Sequence, residues 1–205
     1  MATIGNSDSL PSVFQAFTAE YPNIKVILPG DAEWADITKS FIKTSSSPSI
    51  VARPQNASDV QDLVRFCVSH NIDFVVRSGG HNCTRRSQVN GALTFDMRNI
   101  NYVNISEDKK TAHIGGGIIT RELAKALDAE ELITTTRRWA TLGSYSPLSK
   151  KYGLGVDQII GAKYVNAEGV LVDAGGEELT AIRGGGGCFG IIAEITVIIF
   201  FFLNL

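Results

Sequence analysis

The sequence predicts an α+β protein of two lobes, an α/β lobe followed by a lobe rich in antiparallel strands. Three observations carry this. A helix with apolar residues at i, i+3, i+4 and i+7 lies between two short apolar runs, the pattern of a β-α-β unit. After Gly91 the apolar period shortens towards two, with polar turns between the runs. Glycines cluster at 78–80, 115–117 and 184–187, each cluster beside a predicted strand. The lobes are expected over about 31–100 and 101–199, with 1–30 as an N-terminal extension and 200–205 as an apolar tail.

Taken in order, residues 9–17 read as a short helix, and Trp34 to Phe41 as another, broken by Thr44-Ser45-Ser46-Ser47-Pro48. Ser49-Ile50-Val51-Ala52 is a strand closed by Arg53-Pro54. A helix then runs from about Asn56 to His70, with Ser58 as N-cap and Val60, Leu63, Val64 and Cys67 on one face. Phe74-Val75-Val76 completes the β-α-β unit, which favours parallel pairing. Ala92 to Met97 is a strand. Tyr102 to Ile105 and Thr111 to Ile114 form a hairpin around Glu107-Asp108-Lys109-Lys110. A helix follows over Thr120 to Ala129, with Leu123, Ala124 and Leu127 aligned. Ile159 to Ala174 holds two strands around Ala167-Glu168-Gly169. Glu177 to Ile182 is a short helix ending at Arg183 and the glycines 184–187, and Ile191 to Phe202 is a last apolar strand.

The 205 residues are 44% hydrophobic and 20% charged, with a formal net charge of −2. That composition supports one substantial core or two small lobes around a ligand. It gives no basic run for nucleic acid. The N-terminus lacks the basic and apolar regions of a secretory signal, and the run 195–203 is short for a membrane span, which needs roughly 20 residues. Cys67, Cys83 and Cys188 form no disulfide framework, so a reducing, cytoplasmic compartment is expected and the Asn-x-Ser/Thr triplets at Asn56, Asn82 and Asn104 are read as chance.

The chemistry concentrates at Arg77-Ser78-Gly79-Gly80-His81, directly after an apolar strand. Two glycines permit positive φ and close approach of a ligand to the backbone, the N–H groups of such a turn bind anionic oxygens, and an imidazole stands at its exit. A Walker loop is excluded, because no glycine precedes Lys-Ser or Lys-Thr at the required spacing. A dinucleotide fingerprint fits poorly, since Gly115-Gly116-Gly117 follows a hairpin strand. Cys67, His70, His81 and Cys83 are ligand types for zinc, but Cys67 belongs to an apolar helix face and no metal is expected. Cys83 and Cys188 are read as a spectator and a packing residue, His113 as a sheet residue, Asp96 with Arg98 as a structural pair, and Arg183 as closing a loop.

Arg77-Ser78-Gly79-Gly80-His81, then Gly91 to Arg98, then Gly115-Gly116-Gly117, then Leu148 to Asp157, then Ala181 to Ile192 together resemble the flavin domain of the FAD-linked oxidases. These form the vanillyl-alcohol oxidase and p-cresol methylhydroxylase superfamily, and the berberine bridge enzyme-like branch is the nearest. The likeness runs from about Pro48 to Val197. It implies a two-lobed PCMH-type domain clasping FAD, with His81 as the residue bonded covalently to the flavin 8α-methyl. Ser78, Gly79, Gly80 and Asn82 would surround the diphosphate, and Gly190 and Ile191 would meet the adenosine end. Asp157 and Tyr152 would lie near the cofactor, and Arg77, Gly143 and Gly187 complete the implied binding set. The implied reaction is oxidase-type, a hydride passing from a substrate C–H bond to the flavin with dioxygen as acceptor, on a small-molecule substrate. No residue of the sequence is identified as its catalytic base.

Two departures accompany the likeness. The family carries a long glycine-rich segment before Leu148-Ser149, often with a cysteine that forms a second flavin bond. Leu132 to Leu142 here has neither glycine nor cysteine, which leaves His81 alone for attachment. The family also continues into a substrate domain, for which this sequence has no counterpart. A truncated, catalytically inactive flavin-binding remnant is therefore the alternative expectation to a working oxidoreductase.

Overall fold

The computed structural model describes residues 10–42, 45–82, 87–135 and 144–202. Two sheets organise them. The first has the order β1-β2-β4-β3, from β1 (Lys25–Ile27), β2 (Ile50–Arg53), β3 (Phe74–Arg77) and β4 (Leu93–Asp96). β1 pairs antiparallel with β2; β2 and β3 both run parallel to β4. The strands of the β-α-β unit are thus parallel but not adjacent, because β4 enters between them. All four residues of β4 are buried, Leu93 and Phe95 on one face and Thr94 and Asp96 on the other, and a strand covered on both faces belongs inside a sheet rather than at its edge. Phe95 of β4 stacks on Phe74 of β3 with ring centroids 4.5 Å apart.

The second sheet has the order β5-β6-β10-β8-β9 and is antiparallel throughout. Its strands are β5 (Val103–Ile105), β6 (Thr111–Gly115), β8 (Ile159–Val165), β9 (Leu171–Ala174) and β10 (Ile191–Ile198), with α4 (Thr120–Asp128) on one face. Leu123 and Leu127 of α4 are buried with Ala112, Ile114, Ile195 and Val197, which alternate along β6 and β10 as a half-buried sheet requires. A further pair, β7 (Leu132–Ile133) with β11 (Phe200–Phe201), closes off the end of the final apolar run. That run is therefore two strands with a break at Ile199, not one.

α3 (Ala57–Ser69) joins the sheets. Val60, Leu63, Val64 and Cys67 are buried as their spacing predicts, in one cluster with Ile50, Ala52, Leu93 and Phe95 of the first sheet and Val165 and Ile191 of the second. Gln61 Nε2 also donates to the Gly169 carbonyl of the β8–β9 turn at 3.1 Å. The cap of α3 is Asn56 rather than Ser58: its side chain accepts from Asp59 N–H at 3.0 Å, while Asp59 accepts from Gln55 N–H at 2.7 Å. α1 (Leu10–Glu20) and β1 draw the segment before residue 30 into the same core through Phe14, Phe17 and Ile24.

The two sheets meet along backbone at Gly115-Gly116-Gly117. Gly117 N–H donates to Ile100 O at 2.9 Å and Gly116 N–H to Ala193 O at 2.8 Å. Ala193 is the extra residue of a bulge in β10 against β8. A Cβ at Gly115 would overlap the Ile100 carbonyl, one at Gly116 the Ile192 carbonyl, and one at Gly117 the Met97 carbonyl. None of these three has positive φ, so glycine is needed there for close approach alone. Gly116→Ala is accordingly expected to cost about 2 kcal/mol or more, the scale of overpacking a filled interior. Gly184→Ala, in α6 (Gly176–Gly185) where a methyl meets nothing within 4 Å, should stabilise by roughly 0.5 kcal/mol. Urea unfolding of both variants beside the wild type checks the two signs.

Candidate functional site

β3 delivers Arg77 into the interior and then turns sharply. Gly80 has φ +68°, a conformation that strongly favours glycine. Its carbonyl accepts from Phe41 N–H at 3.0 Å. The exposed His81 folds back over Gly79, where a Cβ would overlap the imidazole, and its ring lies 6.2 Å from that of Phe41. Ser78 Oγ donates to Gly116 O at 3.2 Å. The first glycine cluster is thereby seated on the second. Gly116 in turn is bonded to Ala193, two residues beyond Ile191. A continuous backbone path therefore runs from the Ser78 turn through Gly116 to Gly190 and Ile191. Gly190 packs so closely on β8 that a Cβ would overlap the Val165 carbonyl.

Beneath the turn lies a group of arginines. Asp96, wholly buried, accepts from Arg53 Nη2 at 2.9 Å and Arg98 Nε at 2.8 Å. The Asp96–Arg98 pairing is thus present, with Arg53 added. Arg77, 4% exposed, donates instead to the main-chain carbonyls of Ile37 and Lys39, and its Nε has no hydrogen-bond partner. Burial, then the neighbouring Arg98, pushes its guanidinium down to about 10, against the pull of Asp96. Gln88 donates to Thr38 O. With the carbonyls of Ile37, Thr38 and Lys39 engaged by side chains, α2 (Trp34–Ile37) ends four residues before the Phe41 that periodicity suggests. The segment 37–41 that flanks the turn carries no sequence motif; long-range bonds from Arg77, Gln88 and Arg98, and its own bond from Phe41 to Gly80, reveal it.

The remaining expected site residues fall in different surroundings. Asn82 is exposed beside His81. Asp157 accepts from Leu154 N–H at 2.8 Å and caps its own turn. Tyr152, in α5 (Ser149–Tyr152), stacks on Phe200 at 4.0 Å. The third glycine cluster is part helix: α6 continues through Gly185, beyond the Ile182 end expected, and a 3-10 turn takes Gly186–Cys188. A Cβ at Gly187 meets nothing within 4 Å. Next to it, Tyr164, Glu177, Glu178, Ala181, Ile182 and Phe189 line an open hollow of about 300 Å³. Gly143 and Cys83 lie outside the described residues, as does most of the 132–142 segment. Its flanks are fixed: Gly155 N–H donates to Ser144 O at 3.0 Å, and a Cβ on Gly155 would lie 2.9 Å from Thr135 O. Thr134 Oγ1 donates to Ile198 O at 2.9 Å.

Other residues act as scaffold. His113 Nδ1 lies 3.2 Å from Glu194 Oε1, which also meets Lys163 Nζ at 3.1 Å, and Arg183 Nε donates to Ile159 O at 2.8 Å. Among the described residues no three His, Cys, Asp or Glu side chains gather for a metal, and no helix is long and apolar enough to cross a membrane. The site suits a different group: a glycine turn closely backed by the Arg77 guanidinium and leading to an imidazole has the donor set for an anionic dinucleotide.

Two lobes, one partly parallel and one antiparallel, are the architecture of the PCMH-type FAD-binding domains. The family model described as FAD binding domain matches residues 48–175, and the chain belongs to this family. It is 35% identical over 197 residues to the FAD-linked oxidoreductase aurO of Gibberella zeae, covering 91% of this chain and 39% of that protein. It is 32% identical over 186 residues to (R)-6-hydroxynicotine oxidase of Paenarthrobacter nicotinovorans, covering 84% of this chain and 41% of that protein. The crystal structure of 6-hydroxy-D-nicotine oxidase from Arthrobacter nicotinovorans superposes with a TM-score of 0.80 at 31% identity, over 86% of this chain and 42% of that one. The chain thus spans about two fifths of the length of these relatives.

The two described cysteines differ sharply. Burial pushes the Cys67 thiol up to about 12, while Cys188 is exposed. Thiolate is the reactive form, and a raised value leaves almost none at pH 8. Alkylation of the native protein at that pH, followed by peptide mapping, should label Cys188 and spare Cys67.

Proposed function

We propose that this chain is the cofactor-holding part of an oxidase-type FAD-dependent oxidoreductase. The observation that carries the reading is the Ser78-Gly79-Gly80 turn, seated on Gly116 with His81 folded across it. The N–H groups of Ser78, Gly79, Gly80 and Asn82 would hold the diphosphate, and the backbone at Gly190 and Ile191 the adenosine end. Gly187, Tyr152, Asp157 and Gly143 complete the proposed contacts. His81 would carry the covalent bond to the flavin 8α-methyl; an imidazole held at the exit of a rigid turn is suited to that attachment. The chemistry a bound FAD supplies is hydride acceptance from a substrate C–H bond, with dioxygen as the terminal acceptor. The oxidases among the relatives support that reaction class.

The purified protein is expected to absorb near ~450 nm, as bound oxidised flavin does. After denaturation and desalting the colour should stay with the wild-type polypeptide and be lost from His81→Ala. Flavin that stays attached in that variant would overturn the assignment of His81; a colourless wild type reconstituted with FAD would overturn the cofactor reading itself.

A further inference from the structure

Arg77 is a buried cation with no anionic partner of its own among the described residues. The carboxylate nearest to its group, Asp96, is already bonded to both Arg53 and Arg98. Three guanidiniums thus surround one buried carboxylate. Glu33, 3.9 Å from Arg53, is half-exposed and paired with Lys25, so it does not cancel the excess. A side chain needed only to anchor the 37–39 carbonyls would be served by neutral donors, as Gln88 serves Thr38. Burying an uncompensated charge is costly unless an anion meets it. The direction in which that anion would come is given by Gly80, whose Cβ position lies 2.9 Å from Arg77 Nη2 and 3.0 Å from Nε. The unpartnered Nε and one terminal nitrogen therefore press on the underside of the glycine turn.

We infer that Arg77 is a positioning residue for the diphosphate: it ties the 37–41 segment to the Ser78–Gly80 turn and places beneath that turn a positive charge that the diphosphate neutralises. The inference rests on the FAD reading above and extends it from the N–H groups that touch the cofactor to the charge behind them. It requires that phosphate-bearing ligands respond to Arg77 while the nucleoside does not.

The test is calorimetric titration of flavin-free protein with FAD, ADP and adenosine, with circular dichroism of each variant as a folding control. Arg77→Gln should weaken ADP and FAD at least tenfold and leave adenosine within twofold. Arg77→Lys, which keeps the charge, should recover most of the ADP affinity. Arg98→Gln, on the half-exposed rim of the group, should weaken ADP severalfold without touching the turn, and it carries the test should the Arg77 variants not fold. Equal loss of ADP and adenosine in Arg77→Gln, or unchanged ADP binding in both Arg77→Gln and Arg98→Gln, overturns the inference while the FAD site stands. Wild type that binds neither FAD nor ADP overturns both.

Discussion

The closest constraint in the molecule is a crossing of bare backbone. At Gly115-Gly116-Gly117 the end of β6 passes between the carbonyls of Met97 and Ile100 on one side and that of Ile192 on the other. No side chain fits there. Beside the apolar cluster that α3 builds between the sheets, this crossing supplies the backbone contacts: the hydrogen bonds to Ile100 and Ala193, the bulge that presents Ala193, and the seat that Gly116 offers to Ser78. A seam made of side chains could repack around a substitution; a seam made of carbonyls and N–H groups has little to give. Precision at the Ser78–Gly80 turn is therefore inherited from a contact outside it rather than created within the turn.

Around this seam the charges are arranged asymmetrically. Asp96 ends β4, the central strand of the first sheet, and collects Arg53 from the neighbouring β2 and Arg98 from the 3-10 turn that follows it. Arg77 sits at the corresponding end of β3, paired in register with Asp96, yet gives its protons to carbonyls. Parallel strands thus bring their charged ends to one edge of the sheet, the edge from which loops leave to meet ligands in open α/β sheets.

The sequence made the elements with local causes legible. The spacing of Val60, Leu63, Val64 and Cys67 located α3, and the polar run 107–110 located the β5–β6 hairpin. Elements decided by distant partners were not legible. β1 exists because β2 offers it an edge, β4 lies between β2 and β3 where both its faces are covered and Asp96 meets Arg53 of β2, and α2 stops where Arg77 and Gln88 take the carbonyls at its end. The site divides in the same way. The turn at 78–81 and the glycines at 115–117 stand out in one dimension, and the resemblance built on them leads to the right cofactor family. The reason for the second cluster was not visible, since its glycines serve close approach rather than a turn. Nor was Phe41, which reaches Gly80 across a gap of 39 residues through a bond that no local pattern encodes.

The two ends of the segment between 135 and 144 are anchored from several directions. Thr135 and Ser144 both pack on Gly155, Thr134 is tied to Ile198, and Tyr152 stacks on Phe200. The departure and return points are therefore held by the scaffold whatever lies between them. The register of the scaffold on either side of this stretch is thus set by Gly155, Ile198 and Phe200, residues that lie outside it.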